Sequence, residues 1–110
     1  MGTLYYGGST STDEFDDRVL AHLQLAIVAK LRRGEPFVFS WDVEREKGSG
    51  SNAIWISPTI PLRFTYQAGR RGPINRSWVE ALLKAANSVT GLRIVDEPVE
   101  SVQSASRDDE

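Results

Sequence analysis

The chain reads as an α+β domain, an antiparallel or mixed sheet of four to six strands with two helices packed on one face. Three observations predict this. Two segments, near residues 18–33 and 75–89, carry apolar residues at helical spacing. Several short segments around them alternate apolar with polar residues. The middle strands are joined by short links, which suits antiparallel neighbours, and the expected order is β(β)-α-β-β-β-α-β. A split βαβ arrangement of the ferredoxin type is the related alternative, and strand order stays open.

Thr3-Leu4-Tyr5-Tyr6 followed by Gly7-Gly8 reads as a short strand and turn. Thr12 to Phe15 can return as the second arm of a hairpin, although Asp13 and Glu14 are poor strand residues. Asp16 or Asp17 can cap a first helix over about Arg18 to Arg33, with Gly34 as its stop. Leu20, Leu23, Ile27 and Leu31 form one stripe, and Ala21, Leu25 and Val28 lie around the other side. The exposed strip is then narrow, with Arg18, His22, Ala29 and Arg33 on it. A surface helix needs only one apolar stripe, so contacts on two sides are expected, the second with the hairpin or another subunit.

Phe37, Phe39, Trp41 and Val43 alternate with smaller or polar residues, as in a strand with one buried face. Residues 44–52, charged and then rich in glycine and serine, read as a mobile surface loop. Two strands follow, Ala53 to Ser57 and Leu62 to Gln67, with Pro58 and Pro61 bracketing their link. Residues 68–74 form a glycine-rich basic loop. Asn75 caps the second helix, with Ile74 and Val79 at the positions of a hydrophobic staple. Trp78, Ala81, Leu82, Ala85, Ala86 and Val89 make its apolar face. Arg76, Glu80, Lys84 and Asn87 make the opposite face, and the Glu80–Lys84 spacing adds a few tenths of a kcal/mol. Gly91 closes this helix, and Leu92 to Val95 form a last strand.

The expected organisation is a single domain over residues 1–96 and a disordered acidic tail over residues 97–110. The formal net charge is −2. Its distribution follows the same division. The first 95 residues hold twelve Lys/Arg against nine Asp/Glu, net +3, and the last fifteen hold one against six, net −5. A mildly basic body tolerates an anionic partner without requiring one. The 110 residues contain no cysteine, which removes disulfides, thiolate nucleophiles and zinc–sulfur sites. With no secretory signal and no apolar stretch free of polar residues, the expectation is a cytoplasmic protein away from membranes.

The basic clusters are the leading site candidates. One is Lys30, Arg32 and Arg33, and the other is Arg70, Arg71 and Arg76. If the end of the first helix lies near the start of the second, six cations share a surface. The Gly-Arg-Arg-Gly segment would then offer amides and guanidinium groups to a phosphate. Nucleic acid or an acidic protein surface is the partner such a surface would take. Solvated arginines near turns and helix ends also serve solubility and capping alone. Alternation turns Trp55 away from Ile54 and Ile56; cover by another element is the favoured reading for it, and if exposed it could stack a base or fill a partner groove. Trp41 and Trp78 read as core residues.

No catalytic constellation stands out. His22 is the only histidine, with Arg18, Asp16 and Asp17 near it, and a structural role explains it best. The carboxylates at 13, 14, 16 and 17 lack the calcium-loop pattern, and the glycine pairs fail the dinucleotide and phosphate-loop patterns. No metal site and no cofactor is therefore expected. The leading functional expectation is a non-enzymatic interaction module, with a small enzyme or enzyme subunit and a structural homodimer as alternatives.

The segments Gly2-Thr3-Leu4-Tyr5-Tyr6-Gly7-Gly8, Leu20-Ala21-His22-Leu23, Lys30-Leu31-Arg32-Arg33-Gly34-Glu35, Phe39-Ser40-Trp41, Ile54-Trp55-Ile56, Pro58-Thr59-Ile60-Pro61-Leu62 and Asn75-Arg76-Ser77-Trp78 carry a resemblance over about residues 2–96. The chain resembles a family of small uncharacterised actinobacterial proteins, many bearing the automatic label ATP-dependent DNA ligase. The resemblance implies no fold, activity or site residues. Autonomous ligation is not expected, because ligase cores form a lysyl-adenylate within a Lys-x-Asp-Gly motif and no Asp-Gly dipeptide occurs here.

Overall fold

In chain order the elements are β1 (Gly2–Tyr6), β2 (Thr12–Phe15), α1 (Asp17–Arg32), β3 (Phe37–Arg45), β4 (Gly48–Ile56), β5 (Leu62–Thr65), α2 (Arg76–Ala86) and β6 (Leu92–Arg93). The structure is a computed structural model and describes residues 1–7, 12–45, 48–67 and 72–99. The fold is α+β, and its six strands divide into two three-stranded sheets, β2-β1-β5 and β4-β3-β6. The first sheet is antiparallel, with Gly2 opposite Phe15 and Leu4 opposite Phe64. The second is mixed. β3 and β4 form a long antiparallel hairpin, and β6 joins β3 in parallel with Leu92 opposite Phe39.

Local chemistry sets the boundaries of α1. The Asp16 carboxylate accepts the Arg18 N–H, so one of the free amides of the first turn is satisfied. At the other end the Glu35 N–H donates to the Lys30 carbonyl and the Gly34 N–H to the Leu31 carbonyl. Gly34 has φ +72°, which completes a Schellman stop. In α2 the Asn75 side chain accepts the Trp78 N–H. That helix ends at Ala86, earlier than its apolar pattern suggested. Asn87 is the C-cap, and the Ser88 hydroxyl donates to the Ala85 carbonyl. Val89, expected on the apolar face, is therefore fully exposed.

Two further expectations need correcting. Of the expected 44–52 loop, Glu44 and Arg45 belong to β3, and residues 48–52 are strand paired with residues 41–45. Glycine and serine are weak strand formers, but the hairpin ladder supplies the pairing their side chains do not encode. Glu46 and Lys47, also expected in that loop, lie outside the described residues. The last strand stops at Arg93 because the Val95 carbonyl accepts the Trp78 indole N–H instead of joining the ladder.

The core lies between the inner face of the second sheet, the two helices and the first sheet. Phe37, Phe39 and Trp41 of β3 and Ile56 of β4 meet Leu20, Leu23 and Ile27 of α1, Trp78 and Leu82 of α2, and Leu4 and Phe15 of the first sheet. The Phe15 ring lies 5.4 Å from Trp41 and nearly perpendicular to it. Edge-to-face contacts of this kind add about 1 kcal/mol to the burial of the rings. The helices run side by side in the same direction. His22 in the first half of α1 contacts Asn75 and Trp78 at the start of α2, and Lys30 near the end of α1 contacts Asn87 at the end of α2.

Candidate functional site

The parallel helices decide where the candidate cations go. Arg76 opens α2, and Arg32 and Arg33 lie beside its far end. An eleven-residue helix is about 16 Å long. The end of the first helix is therefore not near the start of the second, and Arg32 and Arg33 lie at the opposite end of the helix pair from Arg76. Arg70 and Arg71 lie outside the described residues. Arg32 is exposed, and Arg33 reaches Glu35 at 3.5 Å.

Lys30 is withdrawn from the surface altogether. Its side chain is 9% exposed, and its ammonium donates to Glu35 at 2.9 Å and to Asn87 at 2.6 Å. It lies on the helix-facing side of α1, where the ammonium ties the end of that helix to the end of α2. The Lys30 hydrogen bond, helped by Arg33, holds the Glu35 carboxyl below its ordinary range.

His22, expected on the exposed strip, is completely buried. Its Nδ1 lies 2.8 Å from the Arg18 carbonyl, and its Nε2 accepts the Asn75 N–H at 2.9 Å. A carbonyl only accepts and an amide N–H only donates, so the proton sits on Nδ1. The ring packs on Trp78 with centroids 4.5 Å apart. Both nitrogens are committed, which is the arrangement of a structural histidine. Above it Arg18 makes a two-point contact with Glu97, at 2.9 and 2.6 Å, and donates to the Pro73 carbonyl at 2.8 Å. The Asn75 amide also donates to Glu97 and to the Pro98 carbonyl. Arg18 and then Asn75 draw the Glu97 carboxyl down to about 2.

Trp55 is different. Of the three tryptophans, Trp41 and Trp78 are 7% and 4% exposed, as expected of core residues, whereas Trp55, for which the favoured expectation is cover by another element, is 52% exposed. Strand alternation explains the contrast. Ile54 and Ile56 turn inward opposite Phe39 and Phe37, so Trp55 turns outward opposite Val38. The same outward face carries Ala53 and Ser40, which are paired, and Arg93 of β6, which pairs with Ser40. The result is a shallow floor of small residues with an indole and Val38 at one end and a guanidinium at the other. The Tyr6 hydroxyl donates to the Trp55 carbonyl and fixes that end of β4.

A cavity of about 260 Å³ opens at the Arg93 end, lined by Ser40, Trp41, Asp42, Arg93 and Ile94. Arg93 lies 3.4 Å from the Ser40 hydroxyl and 3.7 Å from the Asp42 carboxylate. Both contacts are long, and Arg93 is half exposed, so donors remain for an external group. Sequence reasoning did not single out Arg93. The signal was available in its parity: it follows inward-facing Leu92 in a strand, so it faces outward.

Among the described residues no three histidine or acidic side chains converge as metal ligands, and no helix is long and apolar enough to cross a membrane. Fold and site together define a small α+β domain with an open sheet face built around an exposed tryptophan. Residues 1–97 match the family model described as a domain of unknown function, DUF7882, and the chain belongs to that family. No curated protein and no solved structure matches it.

Proposed function

We propose that the domain is a non-enzymatic interaction module whose outer β4-β3-β6 face takes single-stranded nucleic acid, with Trp55 as the stacking platform and Arg93 for a phosphate. The observation that carries this reading is the half-exposed Trp55 indole on the outer sheet face, beside the small Ala53 and Ser40. Base–aromatic stacking contributes about 1–3 kcal/mol per base and tolerates any sequence. The resemblance to proteins labelled DNA ligase favours the same partner, while the missing Lys-x-Asp-Gly motif favours binding over ligation. The commitment of His22 and Lys30 to internal contacts supports the same choice.

Since the other two tryptophans are buried, quenching of intrinsic fluorescence by an added oligonucleotide reads Trp55 directly. Titration with single-stranded DNA and RNA at two salt concentrations should give saturable quenching that weakens with salt. Trp55→Ala should remove it, and Arg93→Gln should weaken it and flatten the salt dependence. Absence of binding at low salt, or unchanged affinity in Trp55→Ala, overturns the reading.

A further inference from the structure

A second surface lies on the helical side of the molecule and is independent of Trp55. Leu25 of α1, Ile74 just before α2, and Arg76, Val79 and Glu80 of α2 line a groove of about 470 Å³. Leu25 and Ile74 are 41% and 42% exposed, so the second apolar side of α1 is not fully covered by the rest of the chain. Large apolar groups that remain open side by side mark a contact surface more often than isolated ones do.

The two charges at this groove identify the occupant. Arg76 and Glu80 are both exposed, and among the described residues neither enters an ion pair, the expected Glu80–Lys84 contact included. They stand four residues apart on one helix, a separation of about 6 Å along the axis. No aromatic side chain lines this groove among the described residues, so it offers a nucleic acid no stacking partner. The patch is instead complementary to itself. A two-fold axis lying in the interface outside α2, perpendicular to it and level with the midpoint of these residues, turns the helix antiparallel to its copy, so each Arg76 faces the other Glu80. The same operation brings Val79, one residue from that midpoint, close to its own equivalent, and Leu25 and Ile74 extend the apolar patch on each copy. An isologous contact requires this self-complementarity.

We infer that the α1–α2 groove is the contact between two copies of this chain, arranged as a two-fold dimer with reciprocal Arg76–Glu80 pairs around an apolar centre. The dimer leaves the outer face of the second sheet free on both copies.

Charge exchange tests this. Arg76→Glu and Glu80→Arg are exposed substitutions, and a glutamate in the first turn of a helix is favourable, so both variants should fold. Sedimentation equilibrium of the full chain, carried to millimolar concentration, should show the average mass rising toward that of a dimer. Either single variant places like charges across the axis and should weaken association about tenfold or more. An equimolar mixture of the two variants restores both opposite-charge pairs and should dimerise better than either alone. Leu25→Glu should abolish association. A wild-type chain that stays monomeric throughout overturns the inference. So does a dimer indifferent to Arg76→Glu and Leu25→Glu, since it uses another surface, or a variant mixture no better than its components.

Discussion

The Asn75 backbone N–H donates to His22 Nε2 at 2.9 Å, across the junction between the two helices. Asn75 is also the N-cap of α2, and the opposite ring nitrogen is bound to the Arg18 carbonyl. One buried imidazole thus connects the first turn of α1 to the first turn of α2. Removing it leaves the Asn75 N–H without its acceptor and opens space beside Trp78. An unsatisfied buried donor costs about 1–3 kcal/mol, and the lost ring packing adds to that. His22→Ala should therefore lower unfolding free energy by about 3 kcal/mol in urea titrations, with the midpoint moving and the slope preserved.

Acid should weaken the same region through Glu97. Its folded value of about 2 lies below the ordinary 4.5, so the folded state favours the ionised form. The sign follows from linkage: its stabilisation is fully present above about pH 4.5 and is lost as pH falls from there toward 2. Glu97→Gln removes the titrating group and most of the attraction to Arg18. Melting temperature measured from pH 6 to pH 2 should fall less steeply in Glu97→Gln than in the wild type. Some acid slope should remain in the variant, because Lys30 holds Glu35 low in the same direction.

These two residues also show which parts of the molecule can be read from sequence. Helix boundaries were legible where local chemistry sets them, as with Asp16 and Gly34 around α1 and Asn75 before α2. The outward direction of Trp55 was legible because strand alternation is local too. His22 and Lys30 were not, because a polar residue in sequence reads as a surface residue. Both are buried by the parallel packing of two helices separated by three strands, and nothing near either residue records that neighbour. The first half of β4 was hidden for a related reason: Gly48 to Asn52 acquire strand geometry from β3, not from their own propensity. The division of the basic residues between opposite ends of the helix pair follows from the same parallel packing.

Lys30 should matter to stability and not to the proposed nucleic-acid surface. Its ammonium bridges Glu35 and Asn87, joining the ends of α1 and α2. Lys30→Met keeps the aliphatic stem but loses both hydrogen bonds. Since both partners reach solvent, the expected loss is about 1 kcal/mol. Chemical denaturation should register that loss, while oligonucleotide affinity measured by fluorescence should stay at the wild-type value. A fall in affinity with unchanged stability would return Lys30 to the binding surface and contradict its buried geometry.

At Gly91 the second sheet leaves no room for a side chain. Its φ is +85°, in the left-handed region, and its backbone passes close to β3. A Cβ added there would lie 2.5 Å from the Val38 carbonyl oxygen and 3.1 Å from the Val38 Cβ. Backbone strain alone costs about 1–3 kcal/mol at such a position. The clash adds to it, because the atom approached is main chain and cannot rotate away. Gly91→Ala should therefore destabilise the domain by more than about 2 kcal/mol. It should also shift β6 relative to β3, since Gly91 immediately precedes Leu92 in the parallel ladder. Hydrogen exchange provides the local readout: amide protection at Leu92 and Arg93 should drop more than protection in α1, and Arg93 should lose its fixed position beside Ser40. Oligonucleotide affinity should then fall in Gly91→Ala under conditions where the variant remains folded, although Gly91 itself offers no side chain to the partner.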